Sequence, residues 1–275
     1  MTPTPPPKRV RARHLAWVAE RLSPRDWQVL ETVNRLHLVT GFQVERLHFV
    51  DLAGRSRIVT RSRSLARLAE WRVLHRLPRR VGGAMRGSSV AVYGLGIAGQ
   101  RLLAVRTNSS SNPPSVRPAR VPSDRFVAHI VAVSELYVEL REAERTNSLI
   151  LRNFTTEPGA WWPNSRGGWL KPDAFLVTSN GRVDQLFWAE IDRATESLAT
   201  IDRKLRTYVD FVNRGGLGPR SAVPRVLVTV PHEVRRAGIV RVVSRLPEPA
   251  SELVLVTVDR DAVVALLKSL AGLPP

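Results

Sequence analysis

Apolar residues recur at helical spacing through the first third of the chain and in strand-like runs through the rest. Ser23 and Pro24 mark the start of a first helix, because serine caps helices and proline is favoured at their first position. Its apolar face follows at three-residue intervals: Trp27, Leu30, Val33 and Leu36. The same periodicity predicts a second helix from Thr40 and a third over residues 56–70.

Two strand-like segments, residues 71–77 and 90–95, follow the third helix, and a loop rich in Gly and Arg (78–89) separates them. Three helices followed by a β-hairpin is the element order of a winged helix-turn-helix, in which the third helix enters the major groove of DNA. We therefore predict a winged-helix DNA-binding domain over residues 23–105, with the loop as its wing.

The remainder of the chain predicts a linker and a second domain. Residues 106–124 are rich in Pro, Ser and Asn and are interpreted as the linker. Residues 125–275 then predict a mixed α/β domain with the order αβββαβαβα. Within it, residues 225–230 and 253–258 are unbroken apolar runs, which are typical of buried parallel strands. Residues 1–22, which are basic and begin with a Pro-rich stretch, are predicted to be a disordered tail.

Charge distinguishes the two halves of the chain. The formal net charge is +18, and residues 1–120 carry 22 Lys and Arg against six acids, or +16. A field of this sign attracts a polyanion, so double-stranded DNA is the expected partner. Arg55 lies on the basic face of the third helix. The expected DNA-binding residues lie on that helix and in the wing: Arg57, Arg61, Arg63, Arg67, Arg79, Arg80 and Arg86.

Several classes of function are excluded by composition. The chain has no Cys, which excludes disulfides, thiolate metal sites and a Cys nucleophile. No apolar run approaches the length of a membrane span, and the first residues lack the core of a secretory signal, so we expect a cytoplasmic protein with no membrane partner. A GxGxxG segment at residues 94–99 lacks the downstream acid of a dinucleotide site, so no such cofactor is expected.

Three acids carry the candidate chemistry of the second half. Asp173 begins one predicted strand, and Glu190 and Asp192 end the next. Pairing of the two strands would bring the three carboxylates together. Converging carboxylates are stabilised by a divalent ion, so they predict Mg²⁺ or Mn²⁺ and no other cofactor. Such an ion activates water beside a phosphate. Lys204, in the following helix, is placed to reach an acid or a phosphate.

The loop that precedes Asp173 contains three tryptophans, Trp161, Trp162 and Trp169. Two interpretations of Trp161 and Trp162 stay open. They stack on unpaired bases, or they cap the hydrophobic core of the domain.

Five segments together resemble the replication-relaxation family of plasmids and conjugative elements: SPRDWQVL, VYGLGIAGQRLL, KPDAFLV, FWAEIDRATES and KLRTYVDF. The resemblance covers about residues 23–260. Pro172-Asp173 with Glu190-Ile191-Asp192 also resembles the PD-(D/E)XK nuclease core. These resemblances imply a winged helix joined to a nuclease-like domain that acts on DNA of a mobile element. They also imply that Asp173 and Glu190 are metal ligands, while Glu135 matches a helix acid of some nucleases.

The chain departs from the nuclease pattern at Asp192, where such nucleases carry Lys, and Lys204 is the candidate replacement. Three functions stay open. The first is a DNA-binding protein of mobile-element replication or transfer, with a non-catalytic or weakly active nuclease-like domain and other replication or transfer proteins as partners. The second is a Mg²⁺- or Mn²⁺-dependent nicking endonuclease with Asp173, Glu190 and Lys204 as catalytic residues. The third is a transcriptional regulator.

Overall fold

The computed structural model describes residues 10–82, 89–106, 123–164 and 166–272. The chain is mixed α/β and divides into two compact units, a first unit (residues 1–134) and a second unit (residues 135–275). Most of the predicted linker and half of the predicted wing loop lie outside the described residues.

Both units contain helices and strands. The helices are α1 (Ala12–Ala19), α2 (Pro24–Leu36), α3 (Gly41–His48), α4 (Gly54–Glu70), α5 (Ile97–Arg106), α6 (Asp124–Arg145), α7 (Leu198–Asn213), α8 (Glu233–Val243), α9 (Ala250–Leu253) and α10 (Ala262–Leu270). The strands are β1 (Leu38–Thr40), β2 (Leu74–Gly82), β3 (Ser89–Leu95), β4 (Ile150–Thr156), β5 (Trp162–Pro163), β6 (Trp169–Leu170), β7 (Ala174–Ser179), β8 (Asp184–Ile191), β9 (Arg225–Val230) and β10 (Val254–Val258). Among the described residues, no helix combines the length and the apolar character needed to cross a membrane.

Local capping fixes where α2 and α3 begin. The Ser23 hydroxyl accepts a hydrogen bond from the amide of Asp26, and the Asp26 carboxylate accepts one from the amide of Ser23. Thr40 and Gln43 form the same reciprocal pair at the start of α3. These pairs satisfy amides that have no partner within the helix. The two predicted helix starts are therefore confirmed.

The sheet of the first unit has the strand order β1-β3-β2, with all pairs antiparallel. The first turns of α6 pack on this sheet, and the Ser134 hydroxyl donates to the Leu38 carbonyl at 2.7 Å. An apolar cluster joins the helix to the strands: Leu38, Leu77, Val92, Val127 and Ile130. The division between the units consequently falls inside α6, after Ser134, and not at the end of the predicted linker.

A helix, α1, occupies part of the segment that was expected to be a disordered tail (residues 1–22). Its Val18 side chain is fully buried, and the His14 imidazole bonds to the Trp71 carbonyl at 3.1 Å. The prolines that suggested disorder end at Pro7, before α1 begins. The short apolar stripe of α1 is stabilised by tertiary packing, which local composition does not reveal.

The second unit contains a five-stranded sheet in the order β10-β9-β8-β7-β4. The strands β4, β7 and β8 are antiparallel neighbours, whereas β8, β9 and β10 run parallel. The prediction of buried parallel strands near residues 225–230 and 253–258 is therefore confirmed. Helices α7 and α8 cover one face of the sheet, and their apolar side chains pack with Trp188, Val226 and Val228 in one core.

Candidate functional site

The pairing of β7 with β8 places Asp173 beside Glu190. Ala174 lies opposite Ala189 in the antiparallel register, so the next pair outward is Asp173 with Glu190. The Asp173 amide donates to the Ala189 carbonyl at 3.0 Å, and the Ile191 amide donates to Asp173 Oδ2 at 2.7 Å. Backbone hydrogen bonds of the sheet thus fix both acids at one end of the strand pair.

Glu190 is a buried carboxylate with two polar partners from α7. The Tyr208 hydroxyl donates to Glu190 Oε1 at 2.5 Å, and the Lys204 ammonium forms an ion pair with Oε2. Burial raises the pKa of Glu190 to about 7, the negative charge of Asp173 adds to that rise, and Lys204 and Tyr208 oppose it. Burial and the neighbouring acid therefore favour the neutral carboxyl, whereas its two partners from α7 favour the charged form.

Helix α7 delivers both partners because they are four residues apart and share one face. Ser197 caps this helix through the amide of Thr200. Burial disfavours the charged form of Lys204, but the charges of Glu190 and Asp173 more than offset it and raise the pKa of Lys204. The sequence pattern indicated Lys204 as a partner of the acids but did not indicate Tyr208. The four-residue spacing between them was the available evidence that Tyr208 shares the helix face of Lys204.

Asp192 is drawn into a separate ion pair. Its carboxylate accepts two hydrogen bonds from the Arg235 guanidinium of α8, at 2.6 and 2.9 Å. Both side chains are almost fully buried, at 3% and 11% exposure. A buried carboxylate requires such a partner to offset the loss of hydration. Asp192 therefore does not converge with Asp173 and Glu190 as the sequence predicted. Arg235 lies 43 residues after Asp192, so the local sequence did not indicate this ion pair.

Within the described ranges, no three acidic or His side chains are grouped so as to hold a metal ion. The remaining pair, Asp173 and Glu190, still suits a Mg²⁺ ion, since Mg²⁺ commonly takes one or two carboxylates and fills its other positions with water and phosphate oxygens. Glu135, the other acid considered, lies on α6 and is half-buried. The fit is thus to a two-carboxylate site.

In the first unit, three arginines expected to bind DNA are paired with buried acids of neighbouring helices. Glu45 of α3 binds Arg61 at 2.6 Å and Arg57 at 3.5 Å. Asp26 of α2 binds Arg67 through both carboxylate oxygens, at 2.7 and 2.8 Å. These pairs connect α4 to α2 and α3. The three arginines therefore have a structural role that the charge pattern of α4 did not indicate.

Arg55 and Arg63 lie on the solvent-exposed side of α4. Neither side chain forms a hydrogen bond or ion pair with a described residue. Arg79 and Arg80 belong to β2, and Arg86 lies outside the described residues. Among the α4 arginines, Arg55 and Arg63 are consequently the ones placed to meet an external anion.

The GxGxxG segment has a packing role. A Cβ atom on Gly96 would lie 2.1 Å from the Arg72 carbonyl oxygen, and one on Gly99 would lie 2.3 Å from the Val73 carbonyl oxygen. The Ala98 amide at the start of α5 donates to the Arg72 carbonyl. Backbone atoms occupy the helix end at which a dinucleotide phosphate would bind, which explains the glycines without a cofactor.

A family model described as replication-relaxation matches residues 30–226, more than half of the chain. The chain belongs to the replication-relaxation family. No curated protein and no solved structure matches it. The replication-relaxation match contains Asp173, Glu190 and Lys204 and ends before Arg235. Membership of this family indicates a role in replication or in mobile-element processes.

Proposed function

We propose that this replication-relaxation protein binds duplex DNA of a mobile element through a winged helix in its first unit. The second unit is a nuclease-like domain that contributes contacts to DNA or to other replication or transfer proteins. The observation that carries the proposal is the first unit's element order, in which α4 precedes the β2–β3 hairpin and exposes Arg55 and Arg63.

Electrostatics supports the same function. The net charge of residues 1–120 is +16, and the acids of this region that are buried are already neutralised by Arg57, Arg61 and Arg67. Arg55 and Arg63 are exposed and form no ion pair with a described residue, so they are available to an external partner. A helix that carries free arginines before a β-hairpin suits the major groove, where arginine contacts guanine or phosphate.

The test is duplex binding by fluorescence anisotropy across a range of salt concentrations. We expect Arg55→Ala and Arg63→Ala each to weaken binding and to reduce the slope of log K against log salt by about 1, because each loses one phosphate contact. Arg21→Ala is the matched control, since it removes an equal charge from an exposed position next to Glu20. Equal losses for all three variants would indicate a general charge effect and would contradict a specific α4 interface.

A second candidate function is metal-dependent DNA nicking, and the ion pair between Lys204 and Glu190 favours it. Asp173 and Glu190 would hold Mg²⁺ or Mn²⁺, and the ion would supply charge stabilisation at a phosphate and activation of water. Nucleases of this class carry Lys at the position of Asp192, and Lys204 would take the role of that lysine as a point charge for the phosphate. Tyr208 holds the Glu190 carboxylate in position.

Incubation of supercoiled plasmid with the protein and Mn²⁺ tests this second function. Open circles from the natural chain, and none from Asp173→Ala, Glu190→Ala or Lys204→Met, are the expected result. Asp202→Asn is the control, because this α7 acid forms an exposed pair with Arg206 and has no place in the site. Plasmid that is bound and stays supercoiled across metals would reject nicking and leave the DNA-binding proposal intact.

A further inference from the structure

The tryptophan loop of the second unit contains two packed tryptophans and one exposed one. The Trp162 ring is partly buried against the core, and its Nε1 donates to the Leu217 carbonyl at 2.9 Å. Lys171 lies over the Trp161 ring at 4.8 Å. Trp169, by contrast, is 55% exposed. The two tryptophans considered for base stacking are thus engaged by the protein, and the third faces solvent.

Trp169 stands on a well-supported hairpin. Its neighbour Leu170 is 1% exposed and belongs to the core that α7 and α8 share with the sheet. The Asn164 side chain accepts hydrogen bonds from the amides of Arg166 and Gly168, which closes the turn between β5 and β6. An aromatic ring on such a fixed support loses little conformational entropy when a ligand stacks on it.

Two cations, Arg166 and Lys171, lie within three residues of the exposed ring in sequence. Leu170 points into the core, so its neighbours Trp169 and Lys171 point outward, as alternation along an extended segment requires. Arg166 is exposed at the turn, and its side chain forms no ion pair with a described residue. The hairpin therefore carries an exposed aromatic ring with one cation before it and one after it in sequence, and Lys171 lies over the neighbouring Trp161 ring. A ring for the base and cations for the phosphates is the combination used for unpaired nucleotides.

We propose that Trp169, with Arg166 and Lys171, is a stacking site for single-stranded DNA. The inference rests on the proposed DNA-binding function and extends it to the second unit. Asp173 lies four positions after Trp169, so their Cα atoms are at most about 14 Å apart. A strand stacked on Trp169 is consequently held within a few nucleotides of the Asp173 and Glu190 carboxylates.

The experiment measures binding of the full chain to a fluorescent oligothymidylate of about 16 nucleotides and to a duplex of the same length. Trp169→Ala should weaken oligothymidylate binding about 5- to 150-fold, the range that corresponds to loss of one stacked base. Trp169→Phe should retain most of the affinity because it keeps an aromatic face, whereas Trp169→Leu should behave like the alanine variant. Duplex binding, which reports on the first unit, should change less than about twofold.

Trp17→Ala is the matched control, since Trp17 is also exposed, at 39%, but belongs to α1 of the first unit. It should leave oligothymidylate binding unchanged. Oligothymidylate binding that survives Trp169→Ala, or that Leu restores as well as Phe does, overturns the proposal. So does a change of oligomeric state in Trp169→Ala with unchanged oligothymidylate binding, because the ring would then be a protein contact. If the natural chain did not bind the duplex at all, the proposed DNA-binding function would be rejected, independently of the result for Trp169.

Discussion

The buried acids of the first unit and the Asp173–Glu190 pair of the second unit are in opposite electrostatic situations. In the first unit, Glu45 has two arginine partners and Asp26 has an arginine together with a helix-capping role. In the second unit, Asp173 and Glu190 lie together and a single lysine, Lys204, acts on both. The pKa of Glu190 rises to about 7 as a result of burial and of the neighbouring acid.

Buried acids whose charge stabilises the fold thus differ from a buried acid that remains available to a ligand. Acids with a full complement of arginines connect helices and have no capacity left for a ligand. Glu190, by contrast, is buried beside a second acid, and both features raise its pKa; carboxyls with a raised pKa are concentrated at functional sites. The formal charge of α4 therefore did not show which of its arginines are already paired within the protein.

We expect the largest effect from replacement of Asp192. This acid lies only two residues after Glu190, but its charge is compensated by the Arg235 guanidinium. Asp192→Asn leaves the Arg235 guanidinium nearly buried without its counter-charge and should cost about 3–5 kcal/mol of unfolding free energy. Urea denaturation measures the loss. Asp202→Asn, in an exposed pair on α7, should cost less than about 0.5 kcal/mol. Similarly small losses of unfolding free energy in both variants would show that the ion pair between Asp192 and Arg235 does not stabilise the fold.

Asp26→Ala should have the next largest effect. It removes both the ion pair with Arg67 and the reciprocal cap with Ser23, for a combined loss of about 3 kcal/mol. Glu31→Ala, which breaks only an exposed pair with Arg106, should cost less than about 1 kcal/mol. Thermal unfolding of the two variants gives the comparison, and equal melting temperatures would contradict the structural role of Asp26.

The pH dependence of stability should distinguish Glu190. The folded pKa is about 7 and the ordinary value is 4.5, so the folded state favours the protonated carboxyl. That contribution is complete below the unfolded pKa and is lost as the pH rises through the folded pKa. The natural chain should thus lose stability between about pH 5 and pH 8 relative to Glu190→Gln. Parallel stability curves for the two proteins across this range would show that Glu190 does not titrate there.

The smallest effect is expected within the Glu45 cluster. Arg61 is the nearer partner, so Arg61→Ala should cost about 1–2 kcal/mol and Arg57→Ala less than about 1 kcal/mol. Both should reduce duplex affinity less than Arg63→Ala does, since of these three arginines only Arg63 is exposed and has no partner among the described residues. Larger losses of duplex affinity in Arg57→Ala and Arg61→Ala than in Arg63→Ala would indicate that Arg57 and Arg61 contact DNA.

Sequence alone located most helices and strands to within a few residues, because their signals are local. Capping residues such as Ser23 and Thr40 and the apolar runs of β9 and β10 act over a few neighbouring positions. The helix α1 was missed, since its short apolar stripe is stabilised by contacts with residues more than fifty positions away. The pairing of Asp173 with Glu190 was also within reach, because a short turn connects β7 to β8.

The sequence by itself determined the mixed α/β class and the replication-relaxation resemblance. It also predicted that Asp173 and Glu190 lie together and that Lys204 can reach an acid. Only the tertiary structure decided which charges are already paired. Arg57, Arg61, Arg67 and Asp192 carry the same formal charges in any arrangement, but their partners lie 12 to 43 residues away on other helices. Whether a charge binds its own protein or an external ligand depends on which side chains share its burial, and folding sets that across long sequence separations.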